Sequence, residues 1–165
     1  MMAVGKTTVG GLCASELRWP FLDSDAQLLA DTGRSAQDIF DVDGDEALRT
    51  WEGRVLIEAI AHPVPVVVAV AGGVVLDASN RELLMRSGVV VWLRASIATL
   101  SGRVGRGGAR PRLGADPTRS LEDLSAARYA LYASVAQFVV DVDDLAPADV
   151  VARILDDTGL GSVGR

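Results

Sequence analysis

A lysine flanked by a glycine and two threonines opens the first predicted helix. Gly5, Lys6, Thr7 and Thr8 follow one another there, and Lys6 is the only lysine among 16 cationic residues. Backbone N–H groups at a helix N-terminus carry partial positive charge and bind phosphate. In loops of this kind the lysine contacts the β- and γ-phosphates of a nucleotide, and the adjacent hydroxyl binds Mg²⁺. The motif predicts a nucleotide site, although an ordinary helix start also fits it.

The phosphate-loop pattern is incomplete at its beginning. The pattern G-x-x-x-x-G-K-[ST] places a glycine five residues before Gly5, one position ahead of Met1. The strand that normally precedes the loop is missing as well. We expect the complete protein to carry roughly ten further N-terminal residues, the length of a strand with its lead-in. An in-frame stop codon immediately before Met1 would contradict this expectation.

Two short motifs follow predicted strands and have the chemistry of a substrate site. Asp23 and Asp25 are two residues apart, and side chains at the carboxyl ends of parallel strands point into the ligand crevice. One acid could serve Mg²⁺ and the other a substrate hydroxyl, or Asp25 could simply cap a helix. Gly72 and Gly73 follow another strand, where their N–H groups could bind a carboxylate; a tight turn is the alternative.

The arginines suggest sites for anions. Arg49 and Arg128 lie on predicted helices, where a solvated face with acidic neighbours is the simpler interpretation. The densest positive cluster is glycine-rich and contains Arg103, Arg106, Arg110 and Arg112. Arginine suits bidentate contacts to phosphate. This segment is typical of a mobile lid that closes over ATP.

Composition narrows the class of protein. The 165 residues are 49% hydrophobic, which is enough for one domain with a buried core. A net charge of −6 disfavours binding to a nucleic-acid backbone. No apolar run approaches the ~20 residues of a membrane span, and no signal-peptide pattern opens the chain. Together with the single cysteine, Cys13, these features favour the cytoplasm.

Hydrophobic periodicity predicts alternating strands and helices, hence an α/β domain with a parallel sheet covered on both faces. The 64–70 and 89–93 runs suit strands buried on both faces. The predicted strands are 21–22, 64–70, 89–93 and 138–142, and the predicted helices are 7–17, 25–31, 35–40, 44–61, 79–86, 96–103, 121–133 and 147–156.

Taken together, these residues resemble one family, shikimate kinase, from Met1 to about Leu155. The resemblance implies the three-layer P-loop kinase fold of nucleoside monophosphate kinases, whose five-stranded parallel sheet here lacks its first strand. It also implies one domain over 1–158, a helical substrate-binding segment over about 25–62, a lid over about 104–118 and a frayed tail over 159–165. The ordered motifs are 5–10, 21–25, 32–35, 39–40, 44–49 with Glu52, 72–75, 80–81, Arg103, Arg110-Pro111, Arg128 and Leu131-Tyr132.

The implied reaction is ATP-dependent phosphorylation of the 3-hydroxyl of shikimate, on the pathway to chorismate and the aromatic amino acids. By position, Thr7 and Asp23 would hold Mg²⁺, Asp25 would bind the shikimate hydroxyls and act as base, and Lys6 and Arg110 would act on the phosphates. Residues assigned to the nucleotide are Gly5, Lys6, Thr7, Thr8, Arg103, Arg110 and Pro147; those assigned to substrate are Asp25, Arg49, Gly72, Gly73 and Arg128.

Three residues depart from the family pattern. Ala71 stands where the family has a glycine and would add a methyl group close to substrate, Leu29 replaces an acidic residue, and Arg112 replaces a leucine in the lid. Each could raise KM or shift substrate preference. The alternatives are another small-metabolite kinase, such as a gluconate kinase, and a catalytically impaired ATP- and shikimate-binding domain. The resemblance implies a monomer, and the composition disfavours nucleic-acid and membrane partners.

Overall fold

Helices and strands alternate along the chain, as the hydrophobic pattern predicts. The computed structural model describes residues 1–106 and 116–162. Short 3₁₀ turns lie at Val74–Leu76 and Leu160–Ser162. The helices are α1 Lys6–Leu17, α2 Ser24–Thr32, α3 Ala36–Ile60, α4 Ala78–Ser87, α5 Ile97–Arg106, α6 Pro117–Val135 and α7 Pro147–Thr158, and the strands are β1 Phe21–Asp23, β2 Val67–Ala69, β3 Val91–Arg94 and β4 Phe138–Asp141.

The strands form two parallel pairs. β1 pairs with β2, with Asp23 opposite Ala69, and β3 pairs with β4, with Arg94 opposite Asp141. Within the described ranges β2 and β3 are not hydrogen-bonded to each other, so each has a single strand neighbour. The main hydrophobic core includes residues of both pairs and the buried Val4 ahead of α1. The prediction of a parallel α/β fold is confirmed, and side-chain packing joins the two pairs.

The long apolar runs form shorter strands than predicted. Of the 64–70 run only β2 is a strand, and the side chain of Val64 is half exposed. The prolines on either side of Val64 lack the N–H that a strand ladder requires. The 89–93 run becomes a strand only at Val91, and the N–H of Val90 is bound by the side chain of Gln137. The prediction of strands buried on both faces along these runs is therefore wrong.

The predicted substrate-binding segment corresponds to α2 and α3. The two helices predicted over 35–40 and 44–61 are merged in α3, with a break at Gly44, whose φ is 86°. Ser35 and Asp38 form a capping box that begins α3. A second small core holds α2 against α3, and it consists of Leu28, Ile39, Leu48 and Val55.

Helix extends into both ends of the predicted lid. α5 continues to Arg106 and α6 begins at Pro117, so both ends of the predicted lid segment are helical. Leu100 and Val104 bury one side of α5 in the main core, which outweighs the low helix propensity of nearby glycines. Arg110 and Arg112 lie outside the described residues. None of the described helices is long and apolar enough to cross a membrane.

Candidate active site

The phosphate loop is built around Lys6. Gly5 has a φ of 103°, a conformation that strains any L side chain, and it begins α1. The Nζ of Lys6 donates a hydrogen bond to the carbonyl of Met1 at 3.0 Å. Thr7 and Thr8 are exposed in the first turn. No side chain in the described part of the chain caps α1. Its first N–H groups therefore form a positively polarised helix end that can bind an anion.

The two residues expected at the metal site are in contact. The hydroxyl of Thr7 donates to one carboxylate oxygen of Asp23 at 2.6 Å. The other oxygen accepts from the N–H groups of Asp25 and Ala26, so Asp23 begins α2. The alternative in which Asp25 caps this helix is therefore wrong. The exposed Asp25 lies in the first turn of α2, two residues beyond the end of β1.

A buried hydrogen bond places the aspartate pair beside the glycine turn. The N–H of Ala71 donates to the Oγ of Ser24 at 2.7 Å, across 47 positions of sequence. Ser24 lies between Asp23 and Asp25, and Ala71 comes immediately before Gly72. The acids and the turn thus follow neighbouring strands, β1 and β2, and meet at the carboxyl end of that pair.

Gly72 and Gly73 are required by space rather than by backbone conformation. Neither has a positive φ. A Cβ on Gly73 would lie 1.7 Å from Nη1 of Arg49, and a Cβ on Gly72 would lie 3.0 Å from the hydroxyl of Tyr132 and 3.8 Å from Nη1 of Arg128. Two guanidinium groups therefore approach this turn from different helices. A simple tight turn does not account for that arrangement.

Arg49 is held in a defined position. Its guanidinium donates to Asp45 at 2.6 Å and to Glu52 at 2.5 Å. The side chains of Arg49 and Glu52 are only 17% and 6% exposed, so the interpretation of Arg49 as part of a solvated face is wrong. Burial acts to lower the pKa of Arg49, but the hydrogen bond to Asp45 and the charge of Glu52 outweigh it and raise that pKa. Arg49 is therefore a fixed positive charge beside Gly73.

Tyr132 connects α6 to the same turn. Its hydroxyl donates to the carbonyl of Gly72 at 2.8 Å. Burial raises the pKa of Tyr132, although the charge and a hydrogen bond of Arg128 act against this rise. Arg128 is half-buried one turn earlier on α6. Tyr132 and Arg128 thus contact each other and border Gly72.

The residues expected around adenine are less closely grouped. Arg103 of α5 donates from its two Nη atoms to the carbonyls of Val4 and Val142, each at 3.1 Å. Pro147 is exposed at the first position of α7. The structure thus shows Arg103 bound to backbone near the phosphate loop. Its expected contact with adenine stays a prediction, as does the role of Arg110.

Ser24 and Tyr132 lie inside two of the family motifs, 21–25 and Leu131-Tyr132, but the sequence predicted no role for either residue. It also placed the methyl group of Ala71 close to substrate. Ala71 is buried in the main core, and the closeness of its methyl group to substrate stays a prediction. Leu29 is 49% exposed on α2.

Similarity to known proteins extends over nearly the whole chain. The family model described as shikimate kinase matches residues 2–158. The shikimate kinase of Pseudomonas fluorescens is 42% identical over 156 residues, covering 94% of this chain and 90% of the relative. That of Symbiobacterium thermophilum is 42% identical over 159 residues, covering 94% and 91%.

Solved structures agree with the sequence comparison. A shikimate kinase from Acinetobacter baumannii, in complex with shikimate, superposes with a TM-score of 0.89 at 35% identity and covers 95% of this chain and 88% of that one. The enzyme from Bacteroides thetaiotaomicron gives a TM-score of 0.86 at 25% identity, covering 96% and 94%. The P-loop kinase fold is thereby confirmed, and the chain belongs to the shikimate kinase family.

Proposed function

We propose that this chain transfers the γ-phosphoryl group of ATP to the 3-hydroxyl of shikimate, giving shikimate 3-phosphate and ADP. The observation that carries the proposal is the approach of Arg49 and Arg128 to the Gly72–Gly73 turn. Shikimate is a small polyhydroxylated carboxylate, so two cations and two backbone N–H groups suit its charged end. The shikimate complex of the Acinetobacter relative supports the same substrate here.

The acid near the glycine turn suits the other end of that substrate. Asp25 accepts the proton of the 3-hydroxyl while that oxygen attacks the γ-phosphorus of ATP. The new O–P bond forms as the bond from the γ-phosphorus to the β-phosphate oxygen breaks, and ADP leaves. Lys6 and the first N–H groups of α1 stabilise negative charge on the transferring group. Arg110 is assigned to the same phosphates.

Thr7 and Asp23 fit a magnesium ion. Their oxygens are hard ligands that lie 2.6 Å apart, on the exposed Thr7 and the half-buried Asp23. Among the described residues no cluster of three or more histidines, cysteines or acids could hold a metal ion. Mg²⁺ commonly takes one or two protein oxygens and completes its shell with water and phosphate. When bound here it would neutralise charge on the β- and γ-phosphates. We assign the reaction to a cytoplasmic monomer, in line with the family resemblance.

A non-catalytic domain that binds ATP and shikimate is the competing candidate. The observation that favours it is that no strand in the described part of the chain leads into the phosphate loop, and that β2 and β3 are not hydrogen-bonded to each other. Such a domain would bind both ligands with no transfer between them.

An assay of ADP release, with shikimate or gluconate as acceptor, tests these functions. We expect ADP release with shikimate as acceptor and none with gluconate. The Lys6→Met variant should lose this turnover and bind ATP more weakly. Turnover with gluconate alone would identify a different small-metabolite kinase, and ATP binding without turnover would identify the non-catalytic domain. Arg86→Ala is the control, because this side chain is 79% exposed and its contact with Glu82 is long, at 3.7 Å.

A further inference from the structure

Two buried hydroxyl groups hold the Gly72–Gly73 turn from different elements. Ser24 is 6% exposed and accepts from the N–H of Ala71 at 2.7 Å. Tyr132 is 8% exposed and donates to the carbonyl of Gly72 at 2.8 Å. One hydroxyl therefore fixes the peptide group that enters the turn, and the other fixes a peptide group inside it.

The hydrogen bond from Tyr132 fills a gap in the local backbone pattern. The carbonyls of Ala71 and Gly73 accept from the N–H groups of Val74 and Leu76, within the 3₁₀ turn that follows. The carbonyl of Gly72, between them, accepts from Tyr132. All three carbonyls of the turn are thereby bound, and only the middle one depends on a distant side chain.

Fixing the carbonyl of Gly72 also fixes the direction of the N–H group of Gly73. The carbonyl of Gly72 and the N–H of Gly73 belong to one planar trans peptide group and point in opposite directions. Tyr132 therefore sets the direction of the Gly73 N–H, which is one of the proposed carboxylate donors. Two successive glycines lose more conformational freedom on ordering than other residues do, so an unfastened turn would have to be ordered when substrate binds.

Ser24 sets a distance across the site. It follows Asp23 directly and precedes Asp25, while its partner Ala71 precedes the glycines. The acid expected to bind the substrate hydroxyls and the turn expected to bind the carboxylate are thus joined through one short buried hydrogen bond.

We propose that Ser24 and Tyr132 are positioning residues that order the Gly72–Gly73 turn before substrate arrives and set its spacing from Asp25. This inference rests on the proposed function only in naming shikimate as the ligand of the turn. The hydroxyl of Ser24 contacts backbone, and that of Tyr132 contacts backbone and Arg128. Their removal should therefore weaken substrate binding through the turn and its neighbouring guanidinium, and leave the nucleotide site intact.

Ser24→Ala and Tyr132→Phe test the proposal through ligand affinity. We expect the Kd of shikimate, measured calorimetrically, to rise about 3- to 10-fold in each variant, the loss expected of one hydrogen bond. The Kd of ADP should stay within about twofold of the wild-type value. Tyr129→Phe is the matched control, because Tyr129 lies on the same helix, is 48% exposed and contacts Arg94. Equal weakening of shikimate and ADP would overturn the proposal, since a general loss of structure has that effect.

Amide hydrogen exchange tests the same residues without any ligand. In Ser24→Ala the N–H of Ala71 should exchange at least about tenfold faster than in the wild type, because its acceptor is gone. Unchanged exchange at Ala71 in a folded variant would overturn the role of Ser24, whatever substrate the protein uses. If the wild type does not bind shikimate at all, the proposed function fails, and the exchange rates still decide whether Ser24 orders the turn.

Discussion

Gly73→Ala is the sharpest test of the substrate site, because the added methyl group collides with one defined contact. Its Cβ would lie 1.7 Å from Nη1 of Arg49 and 2.7 Å from both Cζ of Arg49 and Oε2 of Glu52. Ordinary van der Waals contact begins near 3.4 Å, so the guanidinium must retreat by roughly 2 Å. A hydrogen bond of 2.5 Å between Arg49 and Glu52 does not survive that shift unless both side chains move.

The size of the effect follows from which terms oppose each other. Glu52 has a 6% exposed side chain, and losing a charged hydrogen bond there costs about 1.5–3 kcal/mol. Backbone strain adds nothing, because the φ of Gly73 is −84°. Replacing glycine by alanine at such a φ stabilises the folded state by about 0.4–1 kcal/mol, because the unfolded chain loses conformational entropy. We therefore expect a net loss of about 0.5–2.5 kcal/mol in the free energy of unfolding, together with at least a tenfold rise in the Kd of shikimate.

Urea unfolding and calorimetric titration with shikimate measure the two effects. Gly102→Ala is the matched control: a Cβ on this exposed residue of α5 meets no atom within 4 Å, so the change should stabilise by about 0.5–1 kcal/mol. If Gly73→Ala is as stable as the wild type and binds shikimate with the same Kd, Arg49 is not fixed against this turn, and the reasoning from its position fails.

Three further predictions concern charged groups. Arg128→Ala removes one guanidinium from the turn, and calorimetry should show shikimate affinity falling about 10- to 100-fold with ATP affinity nearly unchanged. Asp23→Asn keeps a side-chain oxygen that can cap α2 but removes the negative charge beside Thr7. The Mg²⁺ concentration for half-maximal rate should therefore rise, while the free energy of unfolding changes by less than about 0.5 kcal/mol. The hydrogen bond from Arg94 lowers the pKa of Asp141 below 3.8, so its stabilising effect is complete above the unfolded-state pKa and is lost as pH falls through the folded-state pKa. The Tm difference between wild type and Asp141→Asn should therefore shrink as the pH falls below the unfolded-state pKa of about 4.

Each of these predictions has its own control. Parallel loss of ATP and shikimate affinity in Arg128→Ala would show that the assignment to substrate is wrong, and Arg86→Ala should change neither. Asp77 begins α4 by accepting from the N–H of Asn80, so Asp77→Asn is a matched helix-start change that should not alter the Mg²⁺ requirement. For Asp141, a Tm difference that is constant with pH would contradict the lowered pKa.

The order and type of the elements follow from the sequence because periodicity and helix-boundary residues act locally. Gly33 ends α2 with a φ of 68°, and Pro147 occupies the first turn of α7, both where the sequence indicates. Strand lengths do not follow in the same way. An apolar run reports that residues are suited to burial, whereas strand extent depends on which neighbours supply hydrogen bonds, and around Val64 and Val90 they do not complete the ladder.

In the candidate site, too, local features could be predicted from the sequence and long-range contacts could not. A loop with Gly5 and Lys6 is readable because its function depends on consecutive residues. The contact of Arg49 with Gly73 is not, since their spacing is set by how α3 packs on the chain after β2. The bond between Ser24 and Ala71 spans 47 positions and joins two residue types with no distinctive signature. Local motifs therefore predicted candidate residues, and tertiary packing determined the contacts that those residues make.

The phosphate loop is fastened to both strand pairs, although those pairs share no hydrogen-bonded ladder in the described chain. Thr7, in the first turn of α1, donates to Asp23 at the end of β1. On the other side, Arg103 binds the carbonyl of Val4 ahead of α1 and that of Val142 just after β4. A continuous sheet would fix the distance from Lys6 to Asp25 through backbone bonds. Here that distance depends on these side-chain bonds and on the shared core, so Thr7 and Arg103 hold the phosphate loop in position in addition to the nucleotide contacts expected of them.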